Sequence, residues 1–127
     1  MRAVVQRVRD CSVSVAGRTT GRIDHGLLVY LGVGRQDTAA AVKPMCEKIL
    51  GLRIFPDQDG KMNLSVRDTG GSVLVVSQFT LYGDVRDGRR PSYTAAADHG
   101  PARQLYEAAL SQLAGSGIPV ASGEFKA

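Results

Sequence analysis

Residues 26–34, GLLVYLGVG, contain no charged side chain and no polar face. Side chains alternate across a strand, so a run apolar on both alternations belongs in the middle of a sheet, covered on both sides. The segments before it alternate instead. Residues 2–9 set Val4, Gln6 and Val8 against Ala3, Val5 and Arg7, and Val13 and Val15 share one face of 12–15. Ala16-Gly17-Arg18 reads as a tight connection into a strand over 19–24. After the central run, Asp37-Thr38 offers helix caps. Val42, Met45/Cys46, Ile49 and Leu52/Arg53 then recur at helical spacing, and the Ala-rich start extends the expected helix over 38–51. Pro44 requires either a start near residue 43 or a kink.

A short strand at 53–55 leads into PDQDGK. Asp57, Asp59 and Gly60 there look superficially like a calcium loop, but the full spacing and closing Glu are missing, so a solvated hairpin turn is expected. A buried strand over 73–76 delivers the polar-aromatic segment SQFTLY, 77–82. The loop 83–93, GDVRDGRRPSY, interleaves three arginines with acids, Gly and Pro. Pro101 suits the first position of a second helix, capped from Asp98 or Gly100, with one apolar stripe of Ala102, Leu105, Tyr106, Ala109, Leu110 and Leu113. Residues 118–121 form a last short strand.

These segments fit one domain, as 127 residues suggest. With no Trp, three Phe and four Tyr, the core rests on Val, Leu, Ile and Ala. No stretch reaches the roughly 18–20 apolar residues that cross a bilayer. Gln6 and Arg7 interrupt any signal-peptide core, so a soluble intracellular protein is expected. Cys11 and Cys46 make neither a disulfide framework nor a metal knuckle, and the scarce Cys and His argue against zinc. Of the net charge of +4, residues 1–22 account for all of it: five arginines against Asp10. That face suits a polyanion, or is an ordinary solvated surface.

Metalloprotease, nucleophile-elbow, phosphate-loop and dinucleotide motifs are absent from the sequence. His25 and His99 lie in separate turns, each near an Asp; either could serve catalysis if the fold gathered it beside Ser77 or Thr80. Ser77, Gln78, Phe79 and Thr80 emerge from an apolar strand as hydroxyls, an amide and a pocket wall. Backbone N–H groups at such a strand end can hold an oxyanion, or the hydroxyls can simply satisfy a turn. Arg86, Arg89 and Arg90 are candidates for phosphate contact, against ion pairs with Asp84 and Asp87. Arg7, in an apolar strand, either orders a neighbouring loop or reaches to solvent.

Taken together, MRAVVQRV at 1–8, GLLVYLGVG at 26–34, EKILGLRIFPDQDGKMNLSV at 47–66, GGSVLVVSQFTLYGDVRDGRRPSY at 70–93 and IPVASGEF at 118–125 resemble the D-aminoacyl-tRNA deacylases. SQFTL followed at this spacing by GRRPS is the specific part. The resemblance implies a mixed α/β, β-barrel-like domain with two main outer helices, homodimeric and cytoplasmic, without metal or organic cofactor. It implies hydrolysis of the ester between a D-amino acid, or glycine, and the 3′-terminal adenosine of tRNA. Aminoacylated tRNA and a second copy are the implied partners; a membrane is not.

By the same resemblance, Ser77, Gln78, Phe79 and Thr80 line the aminoacyl-adenosine pocket, Arg7 supports its geometry and Phe125 flanks the adenosine. The arginine loop and the basic N-terminal segment approach tRNA phosphates. Thr80 is a nucleophile candidate. Main-chain atoms and the RNA's own 2′-hydroxyl are the favoured alternative, because no base is visible beside Thr80. The resemblance also implies a segment beyond GEF with an Asn-x-Gly-Pro-x-Thr motif, whereas the sequence ends at Lys126-Ala127. The chain as it stands is therefore expected to be less stable or less selective than one carrying that motif. A noncatalytic tRNA-binding or dimeric scaffold is the alternative reading, and a small-molecule hydrolase using the SQFTL pocket a third.

Overall fold

The structure, a computed structural model, describes residues 1–126. Strands β1 (Arg2–Val8), β2 (Cys11–Val15), β3 (Arg18–Ile23) and β4 (Gly26–Gly32) come first. Helix α1 (Val42–Gly51), strands β5 (Phe55–Pro56), β6 (Met62–Leu64) and β7 (Ser72–Ser77), helix α2 (His99–Ala114) and strand β8 (Val120–Ser122) follow. The main sheet has the order β1-β4-β7-β8, with β1 antiparallel to β4 and the other pairs parallel. β2–β3 and β5–β6 are separate two-stranded hairpins. As its composition requires, β4 is central, and only Tyr30 of its side chains is not buried.

Parallel neighbours need crossovers, and α1 and α2 supply them. Both crossovers step the same way across the sheet, so a common handedness puts both helices on one face. There Leu27, Val29, Leu31, Val73 and Val75 meet Val42, Cys46 and Ile49 of α1 and Tyr106, Ala109 and Leu113 of α2. On the opposite face the β2–β3 hairpin covers Leu28 and Leu74 through Ile23 and Val13. Gly21 permits that approach, since a Cβ on it would lie 2.5 Å from the Ser122 carbonyl oxygen.

The expected barrel-like closure is corrected by this topology. A closed barrel gives every strand two neighbours, but β1 and β8 each pair on one side only among the described residues, leaving an open sheet with two edges. The two outer helices are present as expected, and the structure is of one chain.

Two boundaries also move. Residues 39–41 make a separate 3₁₀ turn and α1 starts at Val42, so Pro44 sits in its first turn, where no donor is needed. An α-helix from 38 would have asked Pro44 for a bond to the Ala40 carbonyl that it cannot make. α2 begins at His99, two residues before Pro101, and its N-cap Asp98 makes no side-chain capping bond. The 57–60 segment is the expected turn: Asp57 Oδ1 accepts from the N–H groups of Asp59 (2.9 Å) and Lys61 (3.1 Å). Among the described residues no cluster of metal-binding side chains occurs, and no helix is long and apolar enough to cross a membrane.

Candidate active site

The polar segment begins where β7 ends. Ser77 is its last strand residue, Gln78 N–H still donates to the Leu31 carbonyl at 2.8 Å, and Phe79–Tyr82 then turn as a 3₁₀ helix. Only Ser77 therefore stands on the strand; Phe79 and Thr80 belong to the turn. As in any helical turn, the first N–H groups, those of Phe79 and Thr80, have no acceptor within it.

Arg2 and Asp37 brace this turn from outside. Arg2 Nη1 donates to the Leu81 carbonyl at 2.9 Å, and its guanidinium lies 4.4 Å from the Tyr82 ring centre. The Asp37 carboxylate accepts from the Met1 α-amino group (2.6 Å), Gly34 N–H (2.6 Å) and the Tyr82 hydroxyl (3.4 Å). Burial pushes that carboxyl's pKa up, but the hydrogen bonds from the α-amino group and Gly34 outweigh it and hold it below the ordinary range.

Beside the turn opens a cleft of about 250 Å³ lined by Ser77, Gln78 and Phe79 on one side and Phe125 on another. Its size is near the lower end of the roughly 300–1,000 Å³ typical of ligand pockets, enough for one nucleoside-sized group rather than a polymer. Val33, Ala97 and Ala102 supply its apolar lining, and His99 and Lys126 its cationic or polar rim. Phe125 is fixed by the Tyr106 ring, 5.8 Å away, and by an edge-on His99 at 6.3 Å. The GEF segment is further tied to β3 by an Arg18–Glu124 ion pair of 2.8 Å.

The residues singled out in the sequence separate into groups. Ser77, Gln78, Phe79 and Phe125 meet in the cleft. Thr80 does not line it; its Oγ1 instead accepts a hydrogen bond from Gln78 Nε2. Arg7 pairs with Leu27 at the opposite end of β4 from Val33. Six residues at about 3.3 Å each put it about 20 Å from the cleft along the strand. His25 is also elsewhere, with its ring against the Thr69 carbonyl.

Of the two histidines, His99 is the one that shares the cleft with Ser77: the packing of α2 brings it there, a meeting that no local motif announces.

In the arginine loop, Asp84 and Ser92 exchange two backbone hydrogen bonds of 2.8 Å, closing residues 84–92 into a ring. Arg86 is spent inside it, giving Nη2 (2.6 Å), Nε (3.0 Å) and its own N–H (2.9 Å) to the Asp84 carboxylate. These hydrogen bonds, with the guanidinium charge, hold Asp84 at a pKa of about 2. Arg89 and Arg90 are exposed and make no ion pair among the described residues.

The chain is similar over its whole length to known proteins. The chain is 56% identical to a D-aminoacyl-tRNA deacylase of Syntrophobacter fumaroxidans over 126 residues, covering 99% of this chain and 85% of that protein. It is 51% identical to the deacylase of Alcanivorax borkumensis, covering all of this chain and 88% of the relative. Among solved structures, the c-Myc DNA unwinding element binding protein superposes with a TM-score of 0.93 at 38% identity, over 100% of this chain and 87% of that one. A probable eukaryotic D-amino acid tRNA deacylase shares the fold at a TM-score of 0.78 and 18% identity, over 98% of this chain and 88% of that one. The family model of D-Tyr-tRNA(Tyr) deacylase matches residues 4–127, and the chain belongs to that family of hydrolases.

Proposed function

We propose that this chain hydrolyses the ester joining a D-amino acid, or glycine, to the 3′-terminal adenosine of tRNA, and does so in the cleft at the ends of β4 and β7. The observation that carries the reading is the meeting of Ser77, Gln78, Phe79 and Phe125 around a nucleoside-sized opening in a chain of this family. Phe125 stacks beside the adenosine, while Gln78 and Ser77 orient the aminoacyl group. A water oxygen attacks the ester carbonyl carbon and the carbonyl oxygen becomes an oxyanion. The N–H groups of Phe79 and Thr80, free of partners within their turn, are the donors available to it. The carbon–oxygen bond to the ribose then breaks, and that oxygen takes a proton, leaving free amino acid and tRNA with its 3′-hydroxyl restored. The RNA's 2′-hydroxyl is the proton carrier of this scheme.

Thr80 positions rather than attacks in this reading: its hydroxyl is engaged with Gln78 and no base adjoins it. Within one chain Arg7 stands at the other end of β4 from this cleft. Arg89 and Arg90 contact tRNA phosphates; Arg86 orders the loop. We assign residues 1–127 to one deacylase-like domain acting in the cytoplasm, where charged tRNA is used, and self-associating into a homodimer. Hydrolysis of D-tyrosyl-tRNA faster than L-tyrosyl-tRNA by the purified chain tests the function, with sedimentation testing the dimer. Tight binding of both charged tRNAs without release of either amino acid would replace the enzyme by a tRNA-binding scaffold.

A further inference from the structure

Two large aromatic side chains stand in solvent at the mouth of the cleft. Phe79 is 52% exposed and Tyr93 37%, and their rings meet edge to face with centres 5.1 Å apart. Phe79 shows its other side to the cleft, so the Tyr93 ring is the next surface outward. The loop holds Tyr93 in place from both ends. The Asp84–Ser92 backbone pair closes the ring of residues just before it, and Gly83 lets its ring lie close, since a Cβ there would be 3.1 Å from Tyr93 Cε1. Arg89 and Arg90 precede Tyr93 by four and three residues on the same loop. With Arg86 neutralised by Asp84, their charges face Asp87 as the loop's one other acid.

A fixed, exposed aromatic flanked by free guanidinium groups is the arrangement that binds single-stranded nucleic acid: the ring takes a base and the cations take the backbone. An apolar protein partner would explain the rings but not the arginines beside them.

We propose that Tyr93 is a stacking platform for the base of the nucleotide that precedes the terminal adenosine, with Phe79 holding its edge. Arg89 and Arg90 sit against the adjoining phosphates. The assignment rests on the reading of the cleft as the aminoacyl-adenosine site and adds the neighbouring nucleotide to what the chain recognises. Stacking of this kind is tolerant of base identity, so Tyr93 recognises a flat unpaired base rather than a sequence.

The test is a double-mutant cycle between protein and RNA, read as affinity for uncharged tRNA, so that catalysis is not required. One axis is Tyr93→Leu; the other is tRNA whose penultimate nucleotide is abasic. Y93L is expected to weaken binding of intact tRNA by roughly 5- to 100-fold, the range of a lost base–aromatic stack. It should weaken binding of abasic tRNA much less, because that partner is already gone. Tyr93→Phe should restore the intact affinity, which separates stacking from the phenol and from misfolding. With 2-aminopurine at the penultimate position, fluorescence should change on binding to the wild type and to Y93F but not to Y93L.

Equal losses for intact and abasic tRNA would overturn the proposal. So would a Y93L chain that sediments as a smaller species than the wild type, which would make the ring pair a contact between copies. Hydrolysis of D-tyrosyl-tRNA by the wild type, measured alongside, is independent of the cycle. Its absence with an intact coupling would remove the catalytic reading and leave the stacking one.

Discussion

Removing the Thr80 hydroxyl distinguishes the two chemical roles open to it, because they differ by orders of magnitude. In the structure this hydroxyl makes one neutral hydrogen bond, from Gln78 Nε2, on an exposed residue. A bond of that type is worth about 1 kcal/mol net. At 1.36 kcal/mol per decade, this becomes about a fivefold fall in kcat/KM if all of it serves to orient Gln78 in the transition state. Water can take the vacated position, so fivefold is close to an upper figure for positioning alone. Loss of a true nucleophile costs about 10⁶ in kcat in the best-studied serine hydrolase case.

Thr80→Ala should therefore retain between one fifth and all of the wild-type rate in single-turnover deacylation of D-tyrosyl-tRNA, with enzyme in excess so that product release does not intervene. Thr80→Ser, which keeps the oxygen, should match the wild type. A fall of a thousandfold or more in T80A, with the thermal unfolding midpoint and tRNA affinity unchanged, would refute the positioning role and make Thr80 Oγ1 the attacking atom.

Other consequences are as specific. Ala102→Leu projects a larger side chain from a half-buried position into the cleft, so it should abolish deacylation while leaving the unfolding midpoint within a few degrees of the wild type; retained activity would place the reaction elsewhere. Arg89→Ala and Arg90→Ala should each lower the slope of log affinity for tRNA against log salt by about 1, whereas Arg86→Ala, whose charge is already met by Asp84, should change it far less. Three equal slopes would remove that distinction. Asp84 should titrate near pH 2 by carbon NMR, because its folded pKa lies below the ordinary 3.8. The ordering that Asp84 gives the loop is thus complete above about pH 3.8 and lost only as pH falls through about 2, and in Arg86→Gln the midpoint should move back up toward 3.8.

The elements that sequence patterning revealed were those whose burial is uniform along the segment. β4 reads as central because its own side chains are apolar on both alternations, and the stripe of α2 reads as helical because Tyr106, Ala109 and Leu113 all meet one layer. The boundaries that moved are set by single backbone donors: Pro44 cannot supply one, so 39–41 became a 3₁₀ turn. Closure of the sheet was not legible at all. Whether β1 and β8 meet depends on how many strands lie between them and how they twist, and neither is a property of a local pattern. Within the site, SQFTL stood out because polar residues follow a strand of valines. His99 did not, because Ser77, Gln78, Phe79 and Phe125, the residues it meets across the cleft, are 20 residues or more away along the chain.

The cleft lies where the sheet's own alternation carries it. On β7, Val73 and Val75 face the helices and are fully buried; Ser77, two residues on, faces the same way. Leu27, Leu31 and Val33 follow the same alternation from β4. Over most of the sheet this face is filled by large side chains of α1 and α2. At its carboxyl end the facing residues shrink to Ala97 and Ala102, beside the first turn of α2. The space that Leu113 and Tyr106 fill further along is left open there, and a hydroxyl takes the place of a valine. Carboxyl ends of parallel strands are where open α/β sheets place their ligands, and the same logic holds in this mixed sheet. The site is thus the unfilled end of the core layer, which is why its rigidity comes from packing that has no chemical part in the reaction.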